Sequence, residues 1–185
     1  MKRHLILCIA LVAVMASCVK EPRIYRILSD EEAAVVPYQM GQTAKFLNEN
    51  GDTLCFTVVH DTTFVTEYYD QIYFPEAKMK YYPQPYFYMR QVVMQGRPQN
   101  SYLLRFSVAP DKVVTVIWHS FGRTLSLNDL PTTTFTIGET TYENVHIDQG
   151  SYMADTAMIS YAWYYSEQFG LLAAKHGEYS LTLIP

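Results

Sequence analysis

A curved, mostly antiparallel β-sheet, closed or half closed into a barrel, is the fold these residues favour, with a two-sheet sandwich as the alternative. Three observations lead there. Sixteen tyrosines and nine phenylalanines in 185 residues, together with abundant Thr and Val, favour strands over helices. Apolar and polar residues alternate through several segments, the pattern of a half-buried strand. Short turns join these segments and no long amphipathic helix separates them, so the connections are hairpins rather than βαβ crossovers.

Taken in chain order, Ser29 to Val36 reads as one short helix, because Ser29 and Glu32 have capping-box spacing and Pro37 ends the run. Thr43–Leu47 and Thr53–His60 form a hairpin across Asn48-Glu49-Asn50-Gly51-Asp52, whose Gly and Asn residues supply positive φ. Leu54, Phe56 and Val58 share one face of the return strand. Thr62–Tyr69 is a further strand and residues 70–80 form a loop. Tyr86–Gln95 is a strand that turns at Gly96-Arg97-Pro98-Gln99-Asn100. Tyr102, Leu104, Phe106 and Val108 then line one face of the next strand. Pro110-Asp111-Lys112 turns the chain into Val113–His119, with Val114, Val116 and Trp118 on one side. A loop around Asn128–Pro131 precedes strands at Thr132–Ile137 and Thr141–Ile147. Ala157–Tyr165 pairs with Leu171–His176 across Glu167-Gln168-Phe169-Gly170, and Tyr179–Ile184 closes the chain. The expectation is roughly ten strands.

The first residues follow a different logic. Lys2 and Arg3 precede the uncharged apolar run Leu5–Met15, and Ala16-Ser17-Cys18 follow it. The run is eleven residues long, well short of the ~20 a spanning helix needs, and its basic start and small-residue end fit a signal peptide. Val14-Met15-Ala16-Ser17-Cys18 resembles the lipobox of bacterial lipoproteins, with Met15 where Leu is usual. The resemblance implies cleavage before Cys18 and acylation of its thiol. Each buried acyl CH₂ contributes about 0.8 kcal/mol, so several chains on one cysteine make a stable anchor. The implied organisation is a signal peptide over residues 1–17, a tether over 18–24 and a single β-rich domain over 25–185. Val19, not Asp, stands directly after Cys18, unlike lipoproteins retained in the inner membrane of enterobacteria, which points to the outer membrane, on its periplasmic or surface face.

Losing Lys2 and Arg3 takes the 14 basic residues to 12, against 18 acidic ones. A net charge of about −6, without any Lys/Arg run, argues against a nucleic-acid partner, since phosphate binding needs a basic face. Cys8 leaves with the signal and Cys18 is acylated on this reading. Cys55 is then the remaining thiol, in an apolar strand and read as a small buried core residue, and packing must hold the domain together without a crosslink.

Two longer stretches carry a second resemblance: Val36-Pro37-Tyr38-Gln39-Met40-Gly41-Gln42-Thr43-Ala44-Lys45-Phe46 with Asn48–Leu54, and Thr141-Tyr142-Glu143-Asn144-Val145 with Tyr164-Tyr165-Ser166 and Phe169-Gly170-Leu171-Leu172. With the lipobox they resemble small uncharacterised lipoproteins of Bacteroides-type bacteria. That resemblance implies a β-rich envelope domain and brings no catalytic residues.

Sequence motifs for chemistry are few. G-x-S-x-G, H-E-x-x-H, paired C-x-x-C, a phosphate-binding glycine loop and an EF-hand loop are all missing from the sequence, so no cofactor, metal or catalytic role is expected. His60, His119, His146 and His176 remain after signal cleavage. His146 and Asp148 are two apart, on one side of a strand, a spacing that orients an imidazole but also fits a solvent-facing pair before a turn at Gln149-Gly150. Glu139, Glu143, Asp148 and Asp155 offer carboxylate pairs of no particular specificity. Tyr161, Trp163 and Tyr165 share a face and read as core. The most distinctive segment is Tyr81-Tyr82-Pro83-Gln84-Pro85-Tyr86-Phe87-Tyr88, with Tyr68, Tyr69 and Tyr73 upstream. Aromatics stiffened by prolines suit stacking on a sugar or peptide, which makes Tyr81, Tyr82, Tyr86 and Tyr88 the candidate ligand-binding residues. The same residues also suit a core-filling strand whose edge the prolines protect.

The functional expectation is a non-catalytic envelope lipoprotein that binds a glycan, peptide, lipid or partner protein. A structural or assembly subunit is the alternative, and a hydrolase without a recognisable motif is a distant third. An apolar interior cavity would favour a lipid ligand, a long unpaired edge strand an assembly role, and converging His and carboxylates an enzyme.

Overall fold

The computed structural model describes residues 25–67, 86–97, 103–118 and 121–185. They form one sheet of eleven antiparallel strands curled into a half-barrel, with a twelfth, two-residue strand added in parallel. In chain order these are β1 (Tyr25–Arg26), α1 (Asp30–Ala34), β2 (Thr43–Asn48), β3 (Thr53–Glu67), β4 (Tyr86–Arg97), β5 (Leu103–Ala109), β6 (Val113–Trp118), β7 (Phe121–Ser126), β8 (Thr132–Ile137), β9 (Thr140–Ala154), β10 (Ala157–Ser166), β11 (Gly170–His176) and β12 (Tyr179–Leu183). The strand order is β7-β6-β5-β4-β3-β2-β12-β11-β10-β9-β8, so paired strands on this path are consecutive in sequence except where β2 meets β12, and the consecutive strands β7 and β8 end up at its two edges. No helix among the described residues is long and apolar enough to cross a membrane.

The sheet folds because its two halves bury one common face. Phe46, Phe56, Met94, Leu104 and Phe106 from β2–β5 share a single cluster with Trp163, Tyr165, Leu171 and Leu181 from β10–β12. Trp163, Tyr165, Phe46, Phe56, Phe106 and Met94 are fully buried, so side chains fill the interior as in small barrels. A second cluster of Tyr142, Val145 and Leu172 lies under β8. It exists because β9 carries an extra residue opposite β8, where Asn144 takes a positive φ, and the bend sets Phe135 against Tyr164 at 4.2 Å.

Four expectations change in detail. Gly96 and Arg97, expected in a turn, end β4 instead, paired with Phe56 and Cys55. Thr53–His60 and the described part of Thr62–Tyr69, as far as Glu67, are one strand, not two, because a bulge at Val59 absorbs the irregularity while pairing with β4 continues. Phe121–Ser126 is a strand that alternation does not reveal, since Arg123 sits between Phe121 and Leu125 on its inner face. Gln149-Gly150 is not a turn: β9 runs on to Ala154, and Gly150 lies opposite Tyr161. A Cβ at Gly150 would come within 2.7 Å of the Tyr161 hydroxyl, so the glycine makes room for that ring. The reading of His146 and Asp148 as a solvent-facing pair beside a turn fails with it.

The half-barrel has two unlike ends. At one, Ser29 and Glu32 close the expected capping box on α1, and the Glu32 carboxylate also accepts from the Asp111 amide at 2.7 Å. Arg90 ties this end together. Its Nε and Nη2 donate to Asp61 at 2.9 Å, and Nη1 and Nη2 donate at 2.8 Å to the carbonyls of Ala33, Val36 and Tyr38. All five guanidinium protons are used. Tyr38 lies against Gly170, whose positive φ and missing Cβ the close approach requires, and its hydroxyl accepts from the Leu171 amide at 3.0 Å. The opposite end collects the turns at 49–52 and 177–178, and the β9–β10 hairpin projects beyond it.

Candidate functional site

Cys18, Tyr81 and Tyr82 lie outside the described residues, as do Tyr68, Tyr69, Tyr73 and His119. Tyr86 and Tyr88 begin β4, paired with Glu67 and Val65 on an arm that passes the α1 end. Cys55 is free and half-buried, on the face of β3 opposite Leu54 and Phe56, rather than in the core. His60 is exposed. His146 and Asp148 do share the inner face, yet each has its own partner. His146 Nε2 lies 3.2 Å from Glu167 Oε1, and Glu167 also accepts from Lys112 at 2.9 Å. That carboxylate, joined by Glu31, raises the Lys112 pKa. Asp148 belongs to Arg123. Glu139, Glu143 and Asp155 are exposed, with Asp155 at the hairpin tip. No group of three or more His, Cys, Asp or Glu among the described residues is arranged to hold a metal ion.

The side chains with the most varied chemistry meet at the end away from α1. Gly150, Tyr161, His176 and Tyr179 form one row across β9 to β12, in direct register. The row continues the inner face one step beyond Trp163, Ala174 and Leu181, where the core reaches solvent. Edge strand β7 folds over it. Phe121 stacks on His176 at 4.0 Å between ring centroids and approaches Tyr179 at 5.3 Å. Two residues on, Arg123 reaches Asp148 through Nε and, at 3.2 Å, through Nη2. Its Nη2 also donates to the Tyr161 hydroxyl at 2.9 Å, and the guanidinium carbon lies 4.4 Å from that ring's centre. The Asp148 carboxylate raises the Arg123 pKa. Around the rim, Tyr152 places its hydroxyl 3.0 Å from His176 Nε2. Tyr152 and Tyr179 are 44% and 50% exposed, so the rim presents aromatic surface to solvent while its polar groups are already held in place.

A shallow cleft of about 430 Å³ lies instead near the Pro37–Tyr38 segment that follows α1, between Lys45, Gln42, Gln168, Phe169 and the Leu183–Pro185 segment. It is the roomier feature but gathers fewer oriented groups, so the aromatic rim is the better candidate for recognition. Sequence reasoning missed the rim because its parts come from four strands and a strand it did not find. His176 and Tyr161 were visible as residues; Phe121 and Arg123 had no local pattern to mark them. No protein-family model matches this chain, and no curated protein or solved structure does either.

Proposed function

We propose that this chain is an envelope lipoprotein, anchored through Cys18 in the outer membrane, that acts without catalysis by binding a glycan or peptide at the aromatic rim. The observation that carries the reading is polarity. The described chain begins at Tyr25, where β1 lies along the start of β4 on the α1 side, and the rim of Tyr152, Phe121, His176 and Tyr179 is at the opposite end. A chain tethered just before Tyr25 holds that rim away from the bilayer. Exposed aromatic rings with pre-positioned hydrogen-bonding neighbours bind flat rings at low entropic cost. A filled interior favours surface recognition over enclosure of a lipid.

Two measurements test it. Fatty-acid labelling should be incorporated by the wild-type chain and lost in Cys18→Ser. On glycan and peptide arrays, binding should fall at least about tenfold in Tyr152→Ala/Tyr179→Ala with an unchanged circular dichroism spectrum, since each aromatic contact is worth on the order of 1 kcal/mol. Binding that survives both substitutions would rule out the rim. A second reading, an assembly subunit, has one specific observation in its favour: edge strand β8, to which no other described strand adds.

A further inference from the structure

We infer that β8 is a self-association edge, pairing antiparallel with β8 of a second copy. The two ends of the sheet are β7 and β8, and folded proteins protect such ends with charges, prolines, bulges or inward-pointing ionic residues. β7 has such protection in the inward-pointing Arg123. β8 has none. Thr132-Thr133-Thr134-Phe135-Thr136-Ile137 carries no charge and no proline, and four of its side chains are exposed. The irregularity in this pair is the extra residue on β9, so β8 itself carries no bulge, and no other described strand takes up the backbone donors and acceptors of its outer edge; the Thr133 hydroxyl donates to the Thr134 carbonyl at 3.4 Å.

The sequence of β8 is complementary to itself. A two-fold axis perpendicular to the sheet at Phe135 sets Phe135 opposite its own copy, Thr134 opposite Thr136 and Thr133 opposite Ile137. Aromatic, threonine and β-branched pairs of this kind stabilise antiparallel ladders. In that register Glu139 faces Pro131 and Asp129 faces Thr141, so no like charges are opposed. It is the identity of these facing pairs, with no like charges opposed, that fits a second copy to this edge.

The test is sedimentation of the mature lipidated chain in density-matched detergent. The wild-type chain should be dimeric. Thr134→Lys, an exposed position, should weaken the dimer at least tenfold without changing the circular dichroism spectrum, and Thr132→Lys should do the same. Thr124→Lys on β7 should leave the dimer intact. A wild-type chain that is monomeric up to its solubility limit overturns the inference, and so does a dimer that both β8 lysines leave unchanged. Loss of dimer in Thr124→Lys alone would place the contact on the other edge and overturn it equally.

Discussion

The two edges of the sheet end in opposite ways. β7 is held by its side chains: Phe121 stacks on His176, Arg123 pairs with Asp148 and Tyr161 across the barrel, and Leu125 enters the main core. β8 is held by its ladder to β9 and by Phe135 and Ile137 over a small satellite cluster. A curled sheet can therefore finish one edge by folding it over its own interior and leave the other without a further described strand, with no closure of the described backbone ladder. The residues that finish β7 also build the aromatic rim, so edge protection and the proposed binding site are one set of side chains.

Substitutions on the two strands should separate these cases, beginning with the largest effect. Leu125→Ala should cost about 3 kcal/mol in urea unfolding, against about 1 kcal/mol for the half-buried Ile137→Ala. Comparable losses would mean β8 is as deeply anchored as β7. Arg123→Met should cost about 2 kcal/mol, less than a fully buried pair because Arg123 is 39% exposed, while Asp148, at 13%, loses its counter-charge. Asp148→Asn in the same chain should restore more than half of that loss; additive losses would show that the pair is not what holds β7. A smaller, acid-dependent effect tests whether charge clamps matter away from the edges. Arg90 hydrogen bonds lower the Asp61 pKa from its ordinary 3.8. With the folded-state pKa depressed, this contribution is complete above the unfolded value and fades as pH falls below it through the folded one. Arg90→Met should remove that part of the acid dependence, and neither Leu125→Ala nor Ile137→Ala should. The smallest effects belong to Thr124→Lys and Thr134→Lys, each within about 0.5 kcal/mol of wild type for monomer unfolding.

What the sequence revealed was local. The capping box at Ser29 and Glu32, the hairpin around Asn48–Asp52 and the pairing of β10 with β11 all rest on residues close in the chain, and each appears in the fold. The half-barrel was legible too, because alternating strands with short turns leave few other arrangements. Contacts across the barrel were not. Arg123 breaks the apolar alternation of β7 and makes sense only beside Asp148, 25 residues on, so the strand was overlooked. Gly150 resembled a turn because its reason, the Tyr161 ring, comes from the next strand. Of the tyrosine-proline segment, Tyr86 and Tyr88 have a place at the start of β4, and the remaining candidates lie outside the described residues.

Amide hydrogen exchange across a range of protein concentrations compares the two edges most directly. Protection within Thr132–Ile137 should rise with concentration as copies pair, while protection within Phe121–Ser126 stays constant. Exchange in β8 that ignores concentration, or a rise shared equally by β7, would contradict an open edge opposite a closed one.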